Sequence, residues 1–215
     1  RVIVAFAVYA LAVAFAASAG AAPPVRLHVV DVGQGDGLLL ECPDGTIGVV
    51  VDAGEARESV RLAAWKAYVA ARIPESAEIP LVVVSHPHSD HLSGLPWLLA
   101  RNRVRLLVDN GVDVPTRISQ EYAESRRLGL TSGRLGQHSA IGPTVYSEQV
   151  CGATVQVRMF APTDMLRTRC VKHPNDCSVI VRIDYGRTSF LLTGDAELRE
   201  EEALLADDYK RRLLK

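Results

Sequence analysis

No stretch of this chain sustains a heptad pattern and no segment repeats, which excludes a coiled coil and a solenoid. Neither sign of charge dominates. Lys and Arg number 24 and Asp and Glu 25, for a formal net charge of −1. Binding of nucleic acid through a strongly basic surface is thereby excluded as the main theme, while a nucleic acid gripped at a metal site stays open. No C-x-x-C pair occurs, which argues against a zinc ribbon and a thioredoxin motif. Hydrophobic residues at 48% and charged residues at 23% are ordinary globular values, so the chain is neither disordered nor collagenous. Its 215 residues suit one domain with a core of normal size.

Charge is also missing between Arg1 and Arg26. A positive start, the apolar run Val2–Ala17 and the small residues up to Pro23-Pro24 read as a secretory signal peptide over residues 1–22. Ala17-Ser18-Ala19 and Ala19-Gly20-Ala21 both fit a cleavage site. The rival reading is a membrane helix, for which the run is short and alanine-rich. The expected location is secreted or periplasmic, or else membrane-anchored with the domain outside. The first residue is Arg, not Met, so the natural start is expected upstream.

The four cysteines are Cys42, Cys151, Cys170 and Cys177. An even count behind an export signal favours disulfides, and Cys170 and Cys177 are near enough to close a small loop. Four buried free thiols are the alternative.

Short β-rich runs at 25–31 and 38–42 flank a glycine-rich turn, and Ile47–Val51 is a further strand. Val60, Ala63, Ala64, Ala67 and Ala71 recur at helical spacing within Glu55–Arg72. Leu81–Val84 reads as a buried strand, Leu92–Ala100 as a helix and Arg105–Val108 as a strand. Residues 115–128 form a polar surface helix, and 129–148 a long Gly/Ser-rich loop. Strands follow at Thr154–Phe160, Ser178–Asp184 and Thr188–Thr193, then a charged helix at Ala196–Ala206. The order implies an α/β fold with much antiparallel pairing.

The strongest chemical signal is His86-x-His88-x-Asp90-His91, four candidate ligands within six residues at the end of an apolar strand. On extended chain, residues i and i+2 point the same way, so His86 and His88 can grip one ion from one side. Asp90 and His91, just past the strand, can turn toward a second ion or a bound water. Imidazoles with a few carboxylates suit zinc, with manganese and iron as alternatives.

These residues resemble the HxHxDH motif of the metallo-β-lactamase superfamily. Val51-Asp52-Ala53-Gly54 is similar to the family's early Asp-x-Gly, which implies a supporting role for Asp52 behind the metal ligands. Leu192-Thr193-Gly194-Asp195 is similar to its later Gly-Asp, which implies that Asp195 bridges two metals. Asp31-Val32-Gly33-Gln34-Gly35-Asp36, with Val84–Leu95 and Ser178–Asp195, narrows the resemblance to the hydrolase domain of ComEC-like competence proteins over about residues 25–206. By itself, that glycine-rich turn reads as a tight β-hairpin.

The resemblance implies an αββα sandwich of two sheets with helices outside. It implies two divalent metal ions held by His86, His88, Asp90, His91 and Asp195, with Asp90 also orienting the nucleophile. The activity implied is a nuclease-type phosphodiesterase acting on DNA outside the inner membrane. A hydrolase of a small ester, lactone or β-lactam, and a DNA-binding module without catalysis, are the alternatives. No protein partner follows from the residues.

The chain also departs from the branch. Cys177 stands where Asn is common, and His173 is a candidate extra ligand or a loop residue. The branch's terminal Gly-His-His-Gly-Ser-like motif does not follow the last helix. The domain over 25–215 is therefore expected to lack its last elements and its closing histidine. His28 is expected to be structural, and His138 lies in the expected loop. Arg101, Arg103 and Arg105, and Lys210-Arg211-Arg212, are expected to be solvated faces.

Overall fold

The computed structural model describes residues 23–54, 60–141, 145–160, 166 and 168–214. The export segment at 1–22 lies outside the described residues, as does the stretch 55–59 of the expected first helix. Among the described residues, no helix is long and apolar enough to cross a membrane.

Six strands, β1 (Arg26–Val29), β2 (Leu38–Glu41), β3 (Ile47–Val51), β4 (Glu78–Val83), β5 (Arg103–Asp109) and β6 (Leu135–Ala140), form one sheet in sequence order. β1, β2 and β3 pair antiparallel, while β3 to β6 pair parallel. A second sheet has the order β10 (Thr188–Leu192), β9 (Ile180–Tyr185), β8 (Val155–Phe160), β7 (Tyr146–Val150), all antiparallel. The helices are α1 (Val60–Ala70), α2 (Ser89–Leu92), α3 (Leu95–Arg101), α4 (Arg117–Ser132), α5 (Leu198–Ala206) and α6 (Asp208–Leu213).

The layering follows from side chains alternating across each strand. Val50, Val82 and Leu107 face one way and pack with Trp65 of α1 and Leu95 and Leu98 of α3. Val49, Val51, Leu81 and Val83 face the other way, against Val157, Val181 and Ile183 of the second sheet. On that sheet's outer face, Phe160 and Ile180 meet Leu204 of α5. The order is helix, sheet, sheet, helix, as the motifs implied. β3 and β4 are apolar on both faces because both are covered, the condition for central parallel strands.

Both disulfides are formed. Cys170–Cys177 closes the short loop expected from spacing. Cys42–Cys151 joins the end of β2 to the β7–β8 turn, and so ties one sheet to the other. Gly48 of β3 lies beneath it, where a Cβ would come within 2.8 Å of one sulfur.

The expected loop at 129–148 is a misreading. It holds the end of α4, then β6, then the start of β7. Gly133 at φ +72 is the left-handed cap that stops α4. β6 and β7 are edge strands with largely uncovered side chains, so their sequences, LGQHSA and YSEQV, carry no apolar run. The expected helix at Leu92–Ala100 is two pieces, α2 and α3, and α6 was not foreseen.

Candidate metal centre

The parallel strands β3 and β4 end side by side, and each delivers one polar residue into full burial. Asp52 follows β3 at φ +56, with its N–H bonded to the Val83 carbonyl. Ser85 follows β4. Asp52 Oδ1 accepts from Ser85 N at 2.8 Å, and its Oδ2 accepts from Ser85 Oγ at 2.7 Å. His91 Nδ1 is 2.9 Å from the same Oδ2. Ser85 Oγ also lies 3.0 Å from His86 Nδ1. One buried carboxylate and one hydroxyl thus orient two imidazoles, leaving each Nε2 for other partners.

The second sheet supplies the facing wall. Val179 N donates to the Ser85 carbonyl at 2.8 Å, which sets Ser178 Oγ 3.5 Å from His86 Nδ1. Gly194 leaves β10 at φ +52, and a Cβ there would sit 2.7 Å from the Ser85 Cβ, so only glycine lets the strand exit approach this closely. The next residue is Asp195. Its Oδ2 lies 3.9 Å from His86 Nε2 and its Oδ1 3.4 Å from His91 Nε2. His86 Nε2 is in turn 2.9 Å from His88 Nδ1, and His91 Nε2 is 4.0 Å from Asp90 Oδ2.

Among three sets of candidate donors, two share Asp195, His86–His88–Asp195 and Asp90–His91–Asp195, and the third is Asp36–Asp52–His91, each with its ligand atoms within 4.8 Å of one another. Asp195 joins the first two, with Oδ2 toward His86 and Oδ1 toward His91. The donors fit divalent metal. His91 Nε2 is buried without a hydrogen-bond partner, a costly state that a cation would relieve. Burial, with His91 and His88 beside it, pushes His86 down to about 2, so its nitrogens are neutral and ready to ligate. Burial opposes charge on His91 too, but the Asp52 bond and charge outweigh it, with Asp195 and Asp90 adding, and raise it to about 9.

A family profile described as the metallo-beta-lactamase superfamily matches residues 30–213. The chain belongs to that superfamily. No curated protein matches it significantly. Similar solved structures include the metallo-beta-lactamase fold protein YhfI from Bacillus subtilis, at 16% identity and TM-score 0.46, over 74% of this chain and 54% of that one. A metallo-beta-lactamase mutant from Cronobacter sakazakii matches at 14% identity and TM-score 0.45, over 87% and 71%. The diiron beta-hydroxylase CmlA from Streptomyces venezuelae matches at 17% and 0.45, over 86% and 33%. The chain spans about half the length of the first of these. Metallo-β-lactamase superfamily members are generally metal-dependent hydrolases, and this one has His/Asp clusters able to bind metal.

Other histidines are placed elsewhere in this metallo-β-lactamase fold. His173 joins no ligand set among the described residues, and its N–H caps the Arg169 carbonyl. His28 is structural, 2.8 Å from the Tyr68 hydroxyl and 3.0 Å from Glu41 Oε2. His138 is not in a loop but on β6, with Nε2 3.0 Å from buried Asp109. The basic clusters also divide. Arg105 pairs with Glu148, while Arg101 caps the Ile73 carbonyl. Lys210 is buried and lies 3.8 Å from Asp207, so the expected solvated face at 210–212 is wrong for that residue. Four polar residues near the centre were missed in the sequence. Ser85 and Ser178 look like ordinary strand-end serines, and Glu200 like one of several acids on a charged helix. Asp36 lies inside a turn that reads as a hairpin.

Proposed function

We propose that this chain is a metal-dependent phosphodiesterase of the ComEC-like hydrolase branch, acting on DNA outside the inner membrane. The observation that carries the two-metal reading is Asp195, whose two oxygens face His86 and His91 separately. His86 and His88 would hold one divalent ion and Asp90 and His91 a second, with Asp195 between them. Zinc suits this donor set first, with manganese or iron as alternatives. Bound ions supply Lewis acidity, an activated water at neutral pH and a clamp on the attacking and leaving oxygens of an in-line displacement.

The chain's own residues do the rest. Asp52 and Ser85 hold His91 and His86 in one orientation. Asp90, with its side chain 15% exposed at the rim, orients the attacking water and takes its proton. Asp195 is 40% exposed, which places the open side of the centre at the β10 exit.

Export over residues 1–22 is part of the proposal. Two formed disulfides and no free cysteine among the described residues support an oxidising compartment. The test loads the protein with zinc or manganese and assays bis-p-nitrophenyl phosphate, single- and double-stranded DNA, and nitrocefin. Phosphodiester cleavage that disappears in H88A and on chelation supports the reading. Turnover of nitrocefin alone would replace it with a small-substrate hydrolase. DNA affinity indifferent to chelator, without hydrolysis, would replace it with a binding module.

A further inference from the structure

Asp36 of the DVGQGD turn lies beside the metal centre. Gly35, at φ +83, presses against the HxHxDH loop so closely that a Cβ there would sit 2.0 Å from the Asp90 carbonyl oxygen. On the other flank the Asp36 carbonyl accepts from Gly54 N at 2.8 Å. Gly37 is wedged against Trp65 and Val32 with no room for a side chain. Asp36 is therefore held from both sides, and a hairpin tip with no further task needs no such clamping.

The Asp36 carboxylate lies within 4.8 Å of ligand atoms of Asp52 and His91, and it accepts no hydrogen bond among the described residues. Asp52 cannot turn to a cation, because both its oxygens are taken by Ser85 and His91. The Nε2 atom of the same His91 is fully buried and has no hydrogen-bond partner. A carboxylate without a donor, crowded against others beside an imidazole nitrogen that has no hydrogen-bond partner, is compensated by a cation.

We infer that Asp36 is a metal-binding residue, the carboxylate that the glycine turn supplies to the ion held by Asp90, His91 and Asp195. The inference rests on the two-metal reading above. It makes the turn part of the site and provides a closing ligand from the amino-terminal side of the fold.

The test is cobalt(II) titration of the metal-free full chain, read by visible absorption and by competition with a chromophoric chelator. Wild type, D36N, D36E and D44N are compared, Asp44 being an exposed acid in the β2–β3 turn. Wild type and D44N are expected to take up two equivalents. D36N should keep one and bind the other about tenfold or more weakly, with an altered absorption band, and D36E should recover part of the loss. Melting of the metal-free proteins identifies a folding defect, in which case D36E carries the comparison. Two equivalents in D36N with wild-type affinity and spectrum would overturn the inference and leave the two-metal reading intact. A wild type that binds no cobalt would overturn the two-metal reading itself.

Discussion

His91 Nδ1 lies 2.9 Å from Asp52 Oδ2, and both side chains are fully buried. The contact joins the end of β3 to α2 across 39 residues and leaves only Nε2 of the imidazole for other partners.

Removing that carboxylate should act on stability and on metal together. Asp52→Ala leaves Ser85 N, Ser85 Oγ and His91 without their acceptor inside the core. The expected cost is about 3 kcal/mol or more in urea denaturation, typical of breaking a buried pair. Metal affinity should fall by about 10–100-fold, the usual effect of losing a group that orients a ligand. Asp52→Asn, which keeps one acceptor oxygen, should lie between the two. Wild-type metal affinity in Asp52→Ala would show that the ions themselves orient His91.

Glu200 predicts a stability loss at alkaline pH. It is buried on α5, accepts from Ser178 N at 3.0 Å through Oε2, and has no partner for Oε1. Burial raises its pKa from 4.5 to about 8, against the Ser178 bond and Lys210, with Asp176 adding to the rise. The folded chain keeps a proton that the unfolded chain releases, so stability declines as pH climbs from 4.5 toward about 8. Glu200→Gln should flatten that slope and be the more stable protein at pH 9. Parallel slopes for the two proteins in pH-dependent urea denaturation would contradict this.

Asp109 should behave in the opposite sense. It accepts from the Tyr122 hydroxyl and from Arg126 Nη1, each at 2.7 Å. His138 Nε2 stands 3.0 Å away. Burial opposes ionisation, but His138, Arg126 and Tyr122 outweigh it and lower the Asp109 pKa below 3.8. Its contribution is present above the unfolded value and is lost as pH falls through the folded one. Tyr122→Phe removes one bond to a charged acceptor and should cost about 1.5–3 kcal/mol at pH 7, measured by thermal or chemical unfolding. The difference should shrink on acidification.

The two disulfides should contribute unequally. Cys170 and Cys177 are 7 apart in sequence and Cys42 and Cys151 are 109 apart. Chain-entropy arguments give about 2–3 kcal/mol for the short loop and about 4–5 kcal/mol for the long one. Paired Ser replacements, compared by denaturation under non-reducing conditions, should follow that order. Cys177 adjoins Ser178, and its carbonyl accepts from Asn110. Loss of the short bridge should therefore weaken metal binding more than loss of the long one.

What was legible in the sequence was what lies close along the chain. His86, His88, Asp90 and His91 stand out because four ligand types share one strand end, where the two-residue repeat of extended chain already sets their directions. β3 and β4 are readable because strands covered on both faces are apolar throughout, and Cys170–Cys177 because a short loop brings its ends together. The edge strands β6 and β7 were not readable, since uncovered faces place no demand on residue type. Motif resemblance singled out Asp195, but the division of its oxygens between His86 and His91 exists only once β10 exits over Ser85. The same holds for Asp36 beside His91, for Glu200 under Ser178 and for Cys42 against Cys151. Each pairs residues far apart in the chain. Sheet order, register and the packing of one sheet on the other bring them together, and these are set by the whole core rather than by any local run of residues.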